Sequence, residues 1–281
     1  MMKINTGNLK MSKSCGEALM HLLESYGVTT VFGIPGEHTL ELYRGIEKSN
    51  VRAVTPRNEQ GASFMADGYA RVTGEPGVCT LITGPGITNA ATGIGQAYAD
   101  SIPMLVISSA NDSASLGKGW GRLHETTDLC AITRPLTAFS AMVHDPAEIP
   151  ELIAQAFTVF RSRRPRPVHI AIPIDIMEMR VSDDWQPYEI ADLPIPAPAA
   201  IETAAQLLAQ ASSCVMIVGG GAQGLFAPGA HRQLRAFCRQ SPGDRQPDSP
   251  AGPRHDSDLV GESEIHASGP PRWRGEAAPA A

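Results

Sequence analysis

No stretch of this sequence approaches the ~18 consecutive apolar residues of a membrane-spanning helix. The polar N-terminus, Met1 to Lys10, has no apolar core of signal-peptide length. Long basic blocks are missing too. The net charge is -6, and the single basic cluster, Arg161 to Arg166, is interrupted by Ser162 and Pro165. Nucleic acid is thereby excluded as a partner, since phosphate binding needs clustered Lys and Arg; the cluster reads as a solvated loop. Cysteines number 5 and are widely spaced, at Cys15, Cys79, Cys130, Cys214 and Cys238, with no C-x-x-C pair. That pattern excludes a disulfide frame and a zinc site, and no metal-ligating cluster is assigned. It points to reduced thiols in a cytoplasmic protein. Cys79 lies in an apolar run and reads as a small core residue.

What remains is a chain of 281 residues, long enough for one large or two medium domains, each with its own core. Ser14 followed by Glu17 is a capping box that opens a helix through Ala18, Leu19, Leu22 and Leu23, ending near Gly27. Short apolar or β-branched runs then alternate with helical patterns. Strands are expected at Val28–Phe32, Val51–Val54, Val78–Ile82, Pro103–Ser108, Leu136–Val143 and Val168–Ile172. Helices are expected from His38 to Glu47, from the cap Asn58 to Val72, from the Gly84-Pro85-Gly86 turn to Asp100, and from Pro146 to Phe160. The alternation predicts an α/β fold, a mainly parallel sheet with helices on both faces. Asn111 to Asp128 has no clear period and reads as a long, functional loop.

A Pro- and Ala-rich linker (residues 186–200) separates a second unit (201–238), in which a helix from Ile201 to Gln210 precedes a strand from Val215 to Val218 and a glycine turn. That is one βα step of an incomplete, Rossmann-like domain. Residues 239–281 change character: they are rich in Pro, Gly, Ser, Asp and Arg, with Leu259, Val260 and Ile265 as the only aliphatics beyond Ala. Such a segment buries too little apolar area to offset ordering its backbone, so disorder is expected. A natural tail and a reading-frame change both fit. The second is favoured, because the change falls inside an unfinished unit. Residues 1–11 read as an N-terminal extension ahead of a domain spanning 12–185.

Three features fall in order on these elements. The first is Gly33-Ile34-Pro35-Gly36, directly after a strand. Next comes Arg57-Asn58-Glu59-Gln60-Gly61-Ala62, continuing to Ala66-Asp67-Gly68-Tyr69-Ala70-Arg71. The third, Thr83-Gly84-Pro85-Gly86-Ile87-Thr88-Asn89, opens a helix. Together they resemble the pyrimidine-binding domain of the thiamine-diphosphate-dependent acetolactate synthase and 2-oxo-acid decarboxylase superfamily, over roughly Ser12 to Trp185. Within it, His38-Thr39-Leu40-Glu41-Leu42-Tyr43-Arg44 and the loop from Ser113 to Thr126 are most similar to 5-guanidino-2-oxopentanoate decarboxylases, enzymes of arginine catabolism. Acetolactate synthases usually place Phe-Gln-Glu where this chain has Leu123-His124-Glu125.

The resemblance implies a catalytic role for Glu59. A carboxyl hydrogen-bonded to a pyrimidine ring nitrogen favours the imino tautomer, and the neighbouring imine then removes the thiazolium proton at close range. Taken alone, Glu59 is also what a helix dipole favours in a first turn. Gly33, Ile34, Pro35 and Gly36 would let backbone approach the cofactor; Thr83, Pro85 and Asn89 would lie against it; His124 and Glu125 would face the substrate. The glycine turns serve the strand-to-helix geometry at the same time. Gly219 to Gly224 matches G-x-G-x-x-G, but the second strand and acidic residue that a dinucleotide site requires do not follow. The family's diphosphate and magnesium ion are held by a C-terminal domain with a Gly-Asp-Gly motif not found in these residues. A homodimer, or a chain supplying that domain, is implied, and the chain alone is expected to be inactive. Two other readings stay open: part of an acetolactate synthase-type carboligase, and a non-catalytic dimerisation module.

Residues 239–281 should be removed first by limited proteolysis, at no cost to the rest. A tail that resists protease as long as residues 12–185 would refute the compositional reading.

Overall fold

The structure is a computed structural model and describes residues 13–181, 185–190, 195–213 and 215. The expected strand at Val215–Val218 beyond its first residue, the glycine turn after it and the tail lie outside the described residues. So do Cys214 and Cys238.

A two-residue strand β1 (Lys13–Ser14) leads into α1 (Cys15–Ser25), and the capping box forms as expected, with the Glu17 amide donating to Ser14 Oγ at 3.2 Å. Then follow β2 (Thr30–Gly33), α2 (Leu40–Glu47), β3 (Arg52–Val54), α3 (Glu59–Thr73), β4 (Gly77–Leu81), α4 (Pro85–Asp100) and β5 (Met104–Ala110). After the long loop come α5 (Leu129–Thr133), β6 (Phe139–Met142), α6 (Ile149–Ser162), β7 (Val168–Pro173), α7 (Ile174–Glu178), β8 (Arg180–Val181) and α8 (Pro198–Gln210). The six longer strands form one parallel sheet in the order β3-β2-β4-β5-β7-β6, and β1 pairs antiparallel with β8.

Both faces of the sheet's centre are covered, which explains why the central strands β4, β5 and β7 are buried along their whole length. Side chains alternate between the faces. Val31, Val78, Leu105, Ile107, Val168 and Ile170 join Leu19, Leu23, Leu42, Ile153 and Phe157 on one side. Phe32, Cys79, Leu81, Met104, Val106 and Ala171 join Ala62, Ala66, Ile87 and Ile94 on the other. Helices α1, α2 and α6 thus line one face, and α3 and α4 the other. Cys15, Cys79 and Cys130 are buried free thiols; burial pushes Cys15 and Cys79 up to about 12, so neither is a ready nucleophile.

The sequence pattern missed four small elements. The β1–β8 pair and the five-residue helices α5 and α7 are too short for a period to declare itself. The strand expected at Leu136–Val143 narrows to Phe139–Met142, because Pro135 starts a 3-10 turn at Arg134–Leu136. The helix expected at Ile201 starts at Pro198, where proline is favoured in the first turn. Every residue of α8 is exposed, Leu207 at 66 %.

His169 is the one imidazole in the described core. On the face shared with α3 and α4, its Nε2 meets Ser108 Oγ at 2.8 Å, and its Nδ1 lies 2.7 Å from Thr133 Oγ1 and 3.0 Å from Ser140 Oγ. Three hydroxyls satisfy a neutral ring, and burial pushes its pKa down to about 3. Between that value and ~6.5 the unfolded chain holds a proton that the folded one does not. Stability should therefore fall as pH drops from ~6.5 toward 3, by about 3 kcal/mol between pH 7 and pH 4. Urea unfolding across that range checks this: His169→Gln should flatten the dependence by about that amount, and an unchanged slope would mean the ring protonates in place.

Candidate functional site

In a parallel α/β sheet, the strand-to-helix turns at the carboxyl ends of the strands form the natural binding edge. Here those turns are Gly33–Gly36, Ile82–Gly84 and the loop Asn111–Asp128.

The first turn owes its glycine to packing. Gly33 pairs in register with Thr80, and a Cβ at Gly33 would collide with the Thr80 carbonyl oxygen. Ile34 is half-buried and Pro35 exposed. The chain then enters a 3-10 turn in which the Gly36 amide donates to Thr39 Oγ1 at 3.1 Å, and a Cβ at Gly36 would press on the Ile82 side chain. Leu42, in the following helix, is fully buried and anchors it.

Two parallel helices carry the next two features. Asn58 caps α3, its side chain accepting from the Gln60 amide at 2.8 Å. Proline at the first position of α4 has no amide to leave unpaired there. Glu59, in the first turn of α3, is 9 % exposed, and its Oε2 accepts from Asn89 Nδ2 at 2.9 Å. One turn further along each helix, Gly93 lies against Ser63 so closely that any Cβ there would collide with the hydroxyl. Glycine at 93 therefore sets the helix separation that brings Asn89 to Glu59. Glu59 Oε1 accepts no hydrogen bond from the described residues, and Pro85, Thr88 and Asn89 are exposed in the first turns of α4. A buried carboxylate with one oxygen held and the other available suits a donor on a flat heteroaromatic ring.

Thr83 is buried; its amide donates to Ser109 Oγ at 3.0 Å, tying the second turn to β5. Gly84 has φ +61°, and a Cβ there would run into the His124 carbonyl oxygen. The long loop thus closes directly over the Gly84–Pro85 turn, and Asn111 Nδ2 fastens it by donating to the Leu123 carbonyl at 2.8 Å. Beneath the loop lies a pocket of about 280 Å³ lined by Thr83, Ala110, Asn111, Gly117, Thr126 and Asp128, among others. Glu59 and Asn89 do not line it.

His124 and Glu125, adjacent in the loop, are engaged differently. His124 has φ +57°, its Nδ1 is buried with no hydrogen-bond partner, and its ring meets that of His38 edge-on at 6.4 Å. Burial, reinforced by His124 and opposed by Glu37, holds His38 below the usual imidazole range. Glu125 turns back into its own loop: Oε1 accepts from the amides of Gly119 and Trp120, at 2.7 and 3.3 Å. Its Oε2 accepts from Gly121 and Arg122, at 2.7 and 3.0 Å. Burial works to raise its pKa, but these four backbone donors outweigh it and hold the carboxyl below the usual range. Asp112, also in the loop, accepts from Ser115 Oγ at 2.8 Å and lies 3.8 Å from Arg122 Nε.

Sequence reasoning marked Gly33, Ile34, Pro35, Gly36, Glu59, Thr83, Pro85, Asn89, His124 and Glu125, and all lie on these turns or helix starts. It missed the parts played by His38, Gly84, Gly93 and Asn111. Asn111 could have been found as a polar side chain just past an apolar strand. The histidine contact leaves no sequence signal, because it depends on how two distant loops meet.

Residues 13–132 match the family model described as thiamine pyrophosphate enzyme, N-terminal TPP binding domain. Among curated proteins, the chain is 60% identical over 212 residues to a probable 2-ketoarginine decarboxylase of Pseudomonas aeruginosa, covering 74% of this chain and 38% of that protein. It is 39% identical over 229 residues to the acetolactate synthase large subunit of Corynebacterium glutamicum, covering 79% and 35%. With chloroplastic acetolactate synthase 2 of Nicotiana tabacum it shares 36% over 212 residues, covering 73% and 32%. The chain thus matches about a third of the length of these relatives, 32% to 38%.

At Gly84 the close contact comes on top of a backbone conformation that itself favours glycine, φ +61° and ψ -109°. Gly74 has φ +78° with nothing near a would-be Cβ, so Gly74→Ala should cost about 1 kcal/mol. Gly84→Ala adds a collision with the loop and should cost roughly 2 kcal/mol more by urea unfolding. Equal costs would mean the loop yields freely.

Proposed function

We infer, from the premise that residues 13–132 are a thiamine pyrophosphate enzyme N-terminal domain, that this chain is the pyrimidine-side portion of a thiamine-diphosphate-dependent decarboxylase acting on 5-guanidino-2-oxopentanoate, the compound also called 2-ketoarginine. The observation that carries the reading is the buried Glu59, with one oxygen fixed by Asn89 and the other left for a ligand. For the substrate, the support is the 60% identity to a probable 2-ketoarginine decarboxylase, against 39% and 36% for acetolactate synthases. The reading covers residues 12–185 as the pyrimidine domain, 186–200 as a linker and 201–238 as the start of a middle domain. Dimer formation, a magnesium ion with the diphosphate on a separate domain, and a cytoplasmic place in arginine catabolism belong to the same proposal. Among the described residues no helix is long and apolar enough to cross a membrane.

Thiamine diphosphate, when bound, supplies the carbanion that adds to the carbonyl of a 2-oxo acid and takes up the electrons released with carbon dioxide. The work of this chain is to place that group and govern one proton. Asn89 orients the Glu59 carboxyl from the adjoining helix, so its free oxygen can hold a proton at a ring nitrogen of the pyrimidine. Gly33 and Gly36 keep the first turn free of side-chain bulk, and Thr83 holds the second turn against β5 through its amide. Pro85 and Asn89 offer an exposed surface on which a flat ring can lie. His124, close to His38, lies on the substrate side.

The test is a chimera in which the C-terminal region of the Pseudomonas aeruginosa relative follows residues 1–185 of this chain. Release of carbon dioxide and an aldehyde from 5-guanidino-2-oxopentanoate is expected. Glu59→Gln should slow exchange of the thiazolium proton, followed by NMR, at least ~100-fold without unfolding the protein. Acetolactate as the main product from pyruvate alone would overturn the decarboxylase reading, and an unchanged exchange rate would reduce Glu59 to a helix-start acid.

A further inference from the structure

Four acids stand on the turn and loop that carry the histidine pair: Glu37, Asp112, Glu125 and Asp128. A carboxylate intended for a cationic substrate keeps its lone pairs open. Glu125 does the opposite, since both its oxygens accept from backbone amides: Gly119 and Trp120 on one, Gly121 and Arg122 on the other. The segment it gathers is conformationally demanding. Gly117, Gly119 and Gly121 all have positive φ, and His124, the residue before Glu125, does too, at +57°. A non-glycine residue in that region persists only where its surroundings hold it there. The surroundings are visible: the glutamate clasp on one side, the Asn111 bond to the Leu123 carbonyl on another, and Gly84 seated under the His124 carbonyl. The residue so held is the one whose Nδ1 is buried without a partner and whose ring abuts His38.

We propose that Glu125 is a positioning residue: its carboxylate closes the 119–125 loop on four backbone amides and so fixes His124 against His38, leaving the imidazole pair, not the glutamate, as the group the loop presents to a substrate. The inference rests on the reading of this edge as the substrate side. Its chemistry is that of two adjoining imidazoles, fit to hydrogen-bond a carboxylate or carbonyl oxygen. A cation-binding acid would be a different device, and Glu125 has no acceptor position left for one.

The test uses the full 281-residue chain with neither cofactor nor oxo acid, so its outcome is independent of the catalytic reading. NMR follows the Gly119 and Gly121 amide protons together with the titration of His38, assigned through His38→Gln. The titratable groups facing His38 are Glu37 on its own turn and His124 across it. In Glu125→Gln, which keeps the shape but weakens the acceptor, the two amide signals should move upfield. The His38 midpoint should rise toward the ordinary imidazole value as His124 leaves and water enters. Gly119→Ala strains the clasp from its other partner, since a Cβ there meets nothing but the φ of +66° opposes it. It should produce the same rise, and it serves as the decisive variant if Glu125→Gln does not fold. Amide shifts that move while the His38 midpoint stays put would reduce Glu125 to a loop brace and overturn the proposal. Unmoved amides in both variants would overturn it as well.

Discussion

Everything at the binding edge depends on how closely α3 and α4 approach each other. They run parallel from the ends of β3 and β4, which flank β2, and their contacts repeat in register: Glu59 with Asn89, then Ser63 with Gly93 one turn on. At the far end, Arg71 reaches Asp67 on its own helix at 2.7 Å and Asp100 on the other at 2.5 Å. The pair is therefore tied at both ends and in close contact between them. Any side chain at position 93 would push the helices apart and carry Asn89 away from Glu59. The carboxylate would then keep its burial and lose its partner, which is the more costly half of a hydrogen bond to lose.

That constraint is inherited from the sheet. Parallel strands buried on both faces must return through helices, and each return delivers a helix N-terminus to the same edge. Glu59 benefits twice, as a first-turn acid favoured by the helix dipole and as a side chain placed where ligands of such sheets bind. Gly33 shows the same economy. The Thr80 carbonyl alone forbids a side chain there, so a structural demand within the sheet leaves the turn bare for whatever occupies the edge. Structural and functional readings of that glycine do not compete.

Much of this was legible in the sequence, and the reasons differ by feature. The capping box at Ser14 and Glu17, the cap at Asn58 and the proline opening α4 are local interactions that sequence neighbours decide. The central strands β2, β4, β5 and β7 were legible because burial leaves continuous apolar runs. Glu59 was found through its flanking motifs, since a helix-start acid by itself is unremarkable. What escaped depends on distance. Nothing near Gly84 announces that His124 will rest on it, and nothing near His38 announces its ring contact. Glu125 is instructive because its partners are close in sequence. Four amides within six residues can converge on one carboxylate only if the glycines between them take positive φ, and composition does not specify that choice.

The two halves of the edge are consequently built on different principles. The Glu59 half is rigid by packing: its residues sit on long helices whose buried faces fix them, and its polar contact is a by-product of close approach. The His124 half is rigid by hydrogen bonding. It hangs on an exposed loop with little apolar burial, where Trp120 is 62% and Leu123 56% exposed. Order there must come from backbone donors gathered on a charged acceptor, which is stronger than a neutral one. Such an arrangement answers to solvent and protonation in a way a packed helix pair does not. A site that must hold one group in a fixed plane while admitting and releasing another has use for both kinds of support. The sheet edge provides them side by side, with Gly84 as the point where the loop bears on the helix start.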